Sequence, residues 1–124
     1  MSDDENHARL IEIARTALDR TQAKTIKWKT TDDEDTFFYS GLKTSLVADY
    51  FPRLGAYELR VLNSRGTAIA SIKLEPDTFD MSSMDGGVDY NILRDLHAAA
   101  RESALDIDGT LAAALDELLD VPPF

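Results

Sequence analysis

The middle of the chain, residues 25–74, is a series of strand-like segments whose connections are too short to hold a helix. The clearest pair is 57–62 and 67–74, and the link between them begins with Asn63 and ends with Gly66. Both of these residues tolerate left-handed backbone, which favours a β-hairpin. Parallel neighbours would need crossover connections of about a dozen residues or more. The sequence therefore predicts an antiparallel meander.

Three further segments before this hairpin have strand character. Apolar and polar residues alternate over 25–29, aromatic residues dominate 36–40, and apolar residues fill 44–51 until Pro52 stops the strand. The polar residues 31–35 separate the first two of these segments as a turn. Together with the hairpin, they predict a sheet of five strands.

The alternation of side chains assigns them to the two faces of this sheet. Trp28 is expected on the buried face, where it would be structural rather than a platform for stacked bases. On the opposite face we expect four large apolar side chains, namely Phe37, Val47, Phe51 and Leu62. Monomers seldom expose so many large apolar groups together, and an open sheet also has unpaired edges. The chain is therefore predicted to form a homodimer.

Apolar residues recur at helical spacing near both ends of the chain. The pattern predicts helices over 3–21 and 89–105, followed by a last helix that Asp106 or Asp108 caps. We expect the leucines of the last helix, Leu115 and Leu118 among them, to lie in the core.

These elements predict one α+β domain over residues 1–124. It has an N-terminal helix, a five-stranded antiparallel meander sheet and two C-terminal helices packed on one face.

Residues 75–88 separate the last strand from the second helix and have no periodicity. A loop of this length is unusual in a small domain unless it has a function of its own. It carries Met81 and Met84, and methionine suits adaptable apolar contacts. We therefore count both methionines as candidate partner-binding residues. The alternatives are disorder and packing of the loop over the sheet edge.

Charge is divided unevenly along the chain. Residues 1–74 carry 11 acidic and 11 basic side chains, whereas residues 75–124 carry 12 acidic and two basic ones, and so all of the net charge of −10. Such a field repels nucleic acid and anionic membrane and attracts basic partners. Four acids of the last two helices are predicted to bind a basic protein partner: Asp95, Glu102, Asp116 and Glu117.

The two bases of this acidic half share a predicted helix face with a histidine. Arg94, His97 and Arg101 follow one another at positions i, i+3 and i+7. They are therefore candidate anion-binding residues. The alternative is that both arginines pair with nearby surface acids such as Asp95 and Glu102.

No set of residues specifies a reaction or a metal site. The chain has no cysteine, its two histidines lack the spacing of a zinc protease, and it has no phosphate-binding glycine loop. The acidic run at 32–35 lacks the turn glycine and the distant ligand of a calcium loop, so we interpret it as a solvated hairpin tip. We expect no cofactor and no metal, and we expect the protein not to be an enzyme.

Three classes of function stay open. The favoured one is a protein-binding or self-associating adaptor domain. The alternatives are an acidic inhibitor, chaperone or immunity-type protein that docks on a basic partner, and a small-molecule binder or enzyme with a pocket between sheet and helices. The chain has no cysteine, no signal-peptide pattern and no stretch near the roughly 18 apolar residues of a membrane span. A cytoplasmic location is therefore expected.

Overall fold

The chain folds into one sheet with helices on one of its faces. The structure, a computed structural model, describes residues 3–76 and 84–121. Its elements are, in chain order, α1 (Asp3–Gln22), β1 (Lys29–Thr30), β2 (Thr36–Ser40), β3 (Ser45–Phe51), β4 (Ala56–Leu62), β5 (Ala68–Leu74), α2 (Met84–Leu105) and α3 (Ile107–Asp120). The strands pair in the order β1-β2-β3-β4-β5, and every pair is antiparallel. The predicted α+β meander is confirmed. The two C-terminal helices form one bent helix that packs against the sheet through α2.

One face of the sheet carries the core. A row of side chains crosses four strands through Phe37, Ala48, Leu59 and Ile72, and all four side chains are buried. The helices cover this row with their own buried apolar residues, which are Leu10, Ile11, Ala14 and Ala17 from α1 and Leu93, Leu96 and Ala100 from α2. Burial of such side chains is the dominant favourable term in folding.

Trp28 lies in this core, as the sequence predicts, with 3% of its surface exposed. Its indole Nε1 donates a hydrogen bond to Thr21 Oγ1 at 2.8 Å, and its backbone N–H donates to Ser103 Oγ at 2.9 Å. The second bond ties this backbone group to α2 rather than to β2. Sheet pairing consequently begins only at Lys29, so β1 has two residues and shares only Lys29 with the predicted strand over 25–29.

Two of our expectations about side-chain placement are wrong, one for Phe37 and one for the leucines of the last helix. Phe37 pairs with Ala48 and lies in the core rather than on the opposite face. Because the residues at 37–39 are all aromatic, the sequence pattern does not indicate which of these side chains face the core. The register with β3 decides the face of Phe37. Leu115 and Leu118 are exposed rather than buried, because no described element covers α3.

The helix α2 begins earlier than the sequence predicts. It starts at Met84, so the end of the predicted loop is helical and includes Gly86 and Gly87. Each glycine costs about 1 kcal/mol relative to alanine inside a helix. The first turns of α2 are held by the Tyr90 hydroxyl, which donates a hydrogen bond to the Gly55 carbonyl at 2.7 Å. This tertiary contact therefore outweighs the low helix propensity of the two glycines.

Candidate functional site

The last helix carries four exposed leucines on one side. Leu111, Leu115, Leu118 and Leu119 stand at i, i+4, i+7 and i+8, which places them along one stripe of the helix. Their exposed fractions run from 57% for Leu115 to 74% for Leu119. We call these four residues the leucine stripe. An exposed apolar stripe of this kind is a candidate interaction site.

The bend at Asp106 places α3 away from the packed side of α2. Asp106 has left-handed backbone angles, φ 48° and ψ 51°. Its N–H donates to the Ser103 carbonyl at 3.2 Å, and its carbonyl accepts the Thr110 N–H at 2.9 Å. Its side chain makes no capping hydrogen bond, although the sequence predicted a cap at this position. Beyond the bend, every residue from Gly109 to Val121 is exposed.

The charged residues of α3 are all acidic. Asp116, Glu117 and Asp120 are exposed, and no lysine or arginine occurs between residues 102 and 121. Asp95 and Glu102, which were also predicted to bind a partner, are exposed on α2. The structure therefore combines two acids of the predicted set with the leucine stripe on one short helix, and leaves the other two on α2.

The candidate anion-binding residues have three different surroundings. His97 is buried, and its Nε2 donates a hydrogen bond to the Asp35 carbonyl at 2.7 Å. Arg94 is an exposed surface residue whose Nη2 lies 3.4 Å from Asp95 Oδ1. Arg101 lines a cavity beside the β1–β2 turn. The three side chains do not converge on one point, and anion binding by them stays a prediction.

The cavity at the β1–β2 turn has a volume of about 400 Å³. Asp33, Phe37 and Arg101 are among its walls. The Asp33 carboxylate accepts the N–H of Asp35 at 2.9 Å, so this acid stabilises the turn itself. Among the described residues, no group of histidines and acids could hold a metal ion.

A cluster of tyrosines lies between the sheet and α2, and the sequence analysis missed it. The ring centroid of Tyr57 is 4.7 Å from that of Tyr50, 5.5 Å from that of Tyr90 and 5.4 Å from that of His97. Burial raises the pKa of Tyr57, and Tyr90 and Tyr50 raise it further. Tyr50 and Tyr57 are cross-strand partners in the β3–β4 hairpin, so the hairpin register could have predicted their contact.

The remaining predicted residues are the two methionines. Met81 lies outside the described residues, and Met84 is the first residue of α2. Their role in partner binding stays a prediction. Within the described ranges, no helix combines the length and the apolar character needed to cross a membrane.

Comparisons with known proteins add nothing to this geometry. No protein-family model, no curated protein and no solved structure matches the chain. The function therefore follows only from the residues and their arrangement.

Proposed function

We propose that this chain is a non-enzymatic protein-binding domain and that α3 is its docking element. The observation that carries the proposal is the leucine stripe, exposed by 57% or more at every position on a helix of 14 residues. Helices of this length are marginal in water and owe most of their stability to the burial of an apolar side. No described part of the chain buries this side of α3. A second protein surface supplies that burial.

The charge of α3 defines the surface that it fits. An amphipathic helix binds an apolar groove through residues spaced as the leucine stripe is. At about 100° per residue, Asp116 lies beside the leucine stripe, whereas Glu117 and Asp120 lie on the opposite side of α3. A carboxylate beside an apolar contact favours a partner surface that is bordered by lysine or arginine. We therefore propose an apolar surface with basic side chains around it.

Pairing of α3 with the α3 of another copy is disfavoured on two grounds. It would bring together two helices whose charged residues are all acidic, and like charges across an interface repel each other. It would also be small. A helix of 14 residues is about 21 Å long and about 10 Å wide, so one side covers about 200 Å², against roughly 800 Å² per partner in a standard interface.

The other function classes have less support. The tyrosine cluster and His97 fill the space between the β3–β4 hairpin and α2, so a small-molecule site would have to use the cavity of about 400 Å³ at the β1–β2 turn. The cytoplasmic location is likewise proposed, and the chain's lack of cysteine supports it.

The proposal is tested by capture of partners on the full chain, followed by titration of a purified captured protein. Leu115→Asp with Leu118→Asp is expected to weaken binding at least tenfold, because two carboxylates would have to enter an apolar surface. The control is Ile69→Asp on β5, since this residue is 62% exposed but lies outside α3. Binding that survives the double leucine change overturns the proposal.

A salt series on the same pair tests the acidic contribution. Association of wild-type protein is expected to slow as salt rises, because exposed charges are screened beyond about 8 Å at physiological ionic strength. Amide replacement of Asp95, Glu102, Asp116 and Glu117 should remove most of that dependence. If the salt dependence is unchanged, these acids are ordinary solvated surface.

A further inference from the structure

The cavity at the β1–β2 turn lies where the packed core of the molecule ends. Thr30 and Phe37 are cross-strand partners, so both side chains lie on the core side of the sheet. On α2, His97, Arg101 and Leu105 follow one another at intervals of four residues and form one stripe. His97 is buried, whereas Arg101 is exposed and Leu105 is 42% exposed. The cavity is the space that the last two of these residues leave beside the turn.

This cavity has an apolar inner wall and the size of a small-molecule site. Phe37, which is 2% exposed, and Leu105 are the apolar residues that line it. Its volume of about 400 Å³ is within the range of about 300–1,000 Å³ that is usual for ligand pockets. The His97 Nε2 donates a hydrogen bond to the Asp35 carbonyl at 2.7 Å. The helix and the turn that enclose the cavity are therefore tied to each other.

Charges of both signs line the cavity without pairing with each other. The turn contributes the three carboxylates of residues 33–35, and α2 contributes the guanidinium of Arg101. Across the part of the chain that the structure describes, Arg101 forms no ion pair. One turn of helix earlier than His97, by contrast, the Arg94 Nη2 lies 3.4 Å from Asp95 Oδ1. The guanidinium of Arg101 therefore has its full capacity for a carboxylate ligand.

Two of the three carboxylates of the turn also have capacity for a ligand. The Asp33 carboxylate accepts the Asp35 N–H and so serves the turn itself. The hydrogen bonds of Asp35 use its backbone N–H and carbonyl, which leaves its own carboxylate for other contacts. Glu34 is exposed and forms no ion pair with any base of the described residues.

This combination of charges selects the kind of ligand. A simple anion on Arg101 would lie in the same cavity as three carboxylates, and a simple cation would lie beside the guanidinium. In both cases, charges of the ligand's own sign would oppose binding. A ligand that carries one group of each sign has a partner for both of its charges, and its apolar part has the inner wall.

We infer that the cavity binds a small zwitterion with an apolar body, such as a free α-amino acid. Its carboxylate pairs with Arg101, because the planar guanidinium binds carboxylates in a bidentate way. Its ammonium group pairs with Glu34 and Asp35, and its side chain packs on Phe37 and Leu105. The inference goes beyond the proposed function. It uses no residue of α3, so it can fail while the docking helix stands.

Calorimetric titration of the full chain with three matched probes tests the inference. Phenylalanine carries both charges, phenethylamine carries only the ammonium group, and hydrocinnamate carries only the carboxylate, all on the same apolar body. Phenylalanine should bind with a millimolar or lower dissociation constant, and each of the other two probes at least tenfold more weakly. If phenylalanine does not bind at millimolar concentration, or if a probe with one charge binds as well, the inference is overturned.

Two charge-removing variants assign the contacts. Arg101→Gln should weaken the binding of phenylalanine at least tenfold without weakening that of phenethylamine, because only the carboxylate contact is lost. Glu34→Gln with Asp35→Asn should likewise weaken the binding of phenylalanine but not that of hydrocinnamate. Unchanged phenylalanine binding in either variant contradicts the assigned contacts and overturns the inference.

Matched controls separate the cavity from the general charge of the chain. Arg94→Gln removes the same charge from the same helix, and Asp32→Asn removes an acid from the same turn, but neither residue lines the cavity. Both controls should bind phenylalanine within about twofold of wild type, and circular dichroism checks that every variant is folded. An equal loss in Arg94→Gln and Arg101→Gln would mean that net charge, and not the cavity, governs binding, which also overturns the inference.

Discussion

The two helices α2 and α3 follow one another directly and both carry apolar residues at helical spacing, yet their surroundings are opposite. Leu93 and Leu96 of α2 are 2% and 1% exposed, whereas Leu118 of α3 is 71% exposed. A bend at Asp106 separates the helices. Leucine spacing therefore shows that a helix has an apolar side, but it does not show what covers that side.

The two helices also differ in what they contribute to the stability of the fold. The sheet, α1 and α2 form a packed body in which burial of apolar side chains supplies the stability. The helix α3 contributes no residue to that core, and its leucines are exposed. Mutations in the packed body should change the free energy of unfolding, and mutations in the leucine stripe should change association.

The largest effect is expected at the centre of the packed body. Trp28→Ala should lower the free energy of unfolding by about 3–5 kcal/mol, because it removes a buried indole and leaves a cavity. Urea denaturation measures this loss. Lys27→Ala is the control, since Lys27 is exposed beside Trp28 and should change stability by only about 0.5 kcal/mol. An unchanged urea midpoint for Trp28→Ala would contradict its placement in the core.

A matched pair of leucine substitutions tests the comparison directly. Leu96→Ala should cost about 2–5 kcal/mol, because the side chain is fully buried. Leu118→Ala should cost about 0.5 kcal/mol or less when the protein is dilute enough to be monomeric. Urea denaturation of both variants at the same low protein concentration compares their losses of unfolding free energy. Equal losses would show that α3 is buried against the packed body in solution.

A smaller, pH-dependent effect is expected from the tyrosine cluster. Burial raises the pKa of Tyr57 above its ordinary value of 10.0. The unfolded chain then loses this proton at a lower pH than the folded chain. The contribution of protonated Tyr57 to folding stability is therefore complete below pH 10.0, and it declines as the pH rises above that value.

Urea denaturation at neutral pH and above pH 10.0 should show this decline in wild-type protein and a weaker one in Tyr57→Phe. Because α3 contains no tyrosine, the effect belongs to the packed body alone. Parallel pH profiles for the two proteins would exclude a contribution from Tyr57.

Much of the candidate site follows from local patterns. The helix, its leucines and its acids are all evident from spacing and charge. The exposure of the leucines is not evident from the sequence, because the apolar stripe of α2 also has helical spacing and is buried. The sequence also left open which face of the sheet Phe37 occupies, since three aromatic residues in a row have no period of two. Only the pairing of Phe37 with Ala48 determines that face.

The sequence by itself determined the order of the elements, the antiparallel meander and the acidity of the C-terminal half, because these depend on short-range periodicity, connection length and charge counts. Tertiary structure decided the start of α2, the reduction of the first strand to β1, the tyrosine cluster and the isolation of α3. Each of these depends on contacts between residues far apart in the chain, such as Tyr90 with Gly55 and Trp28 with Ser103. A local pattern cannot encode such contacts, since the same side chain serves as core or as interface according to what lies against it.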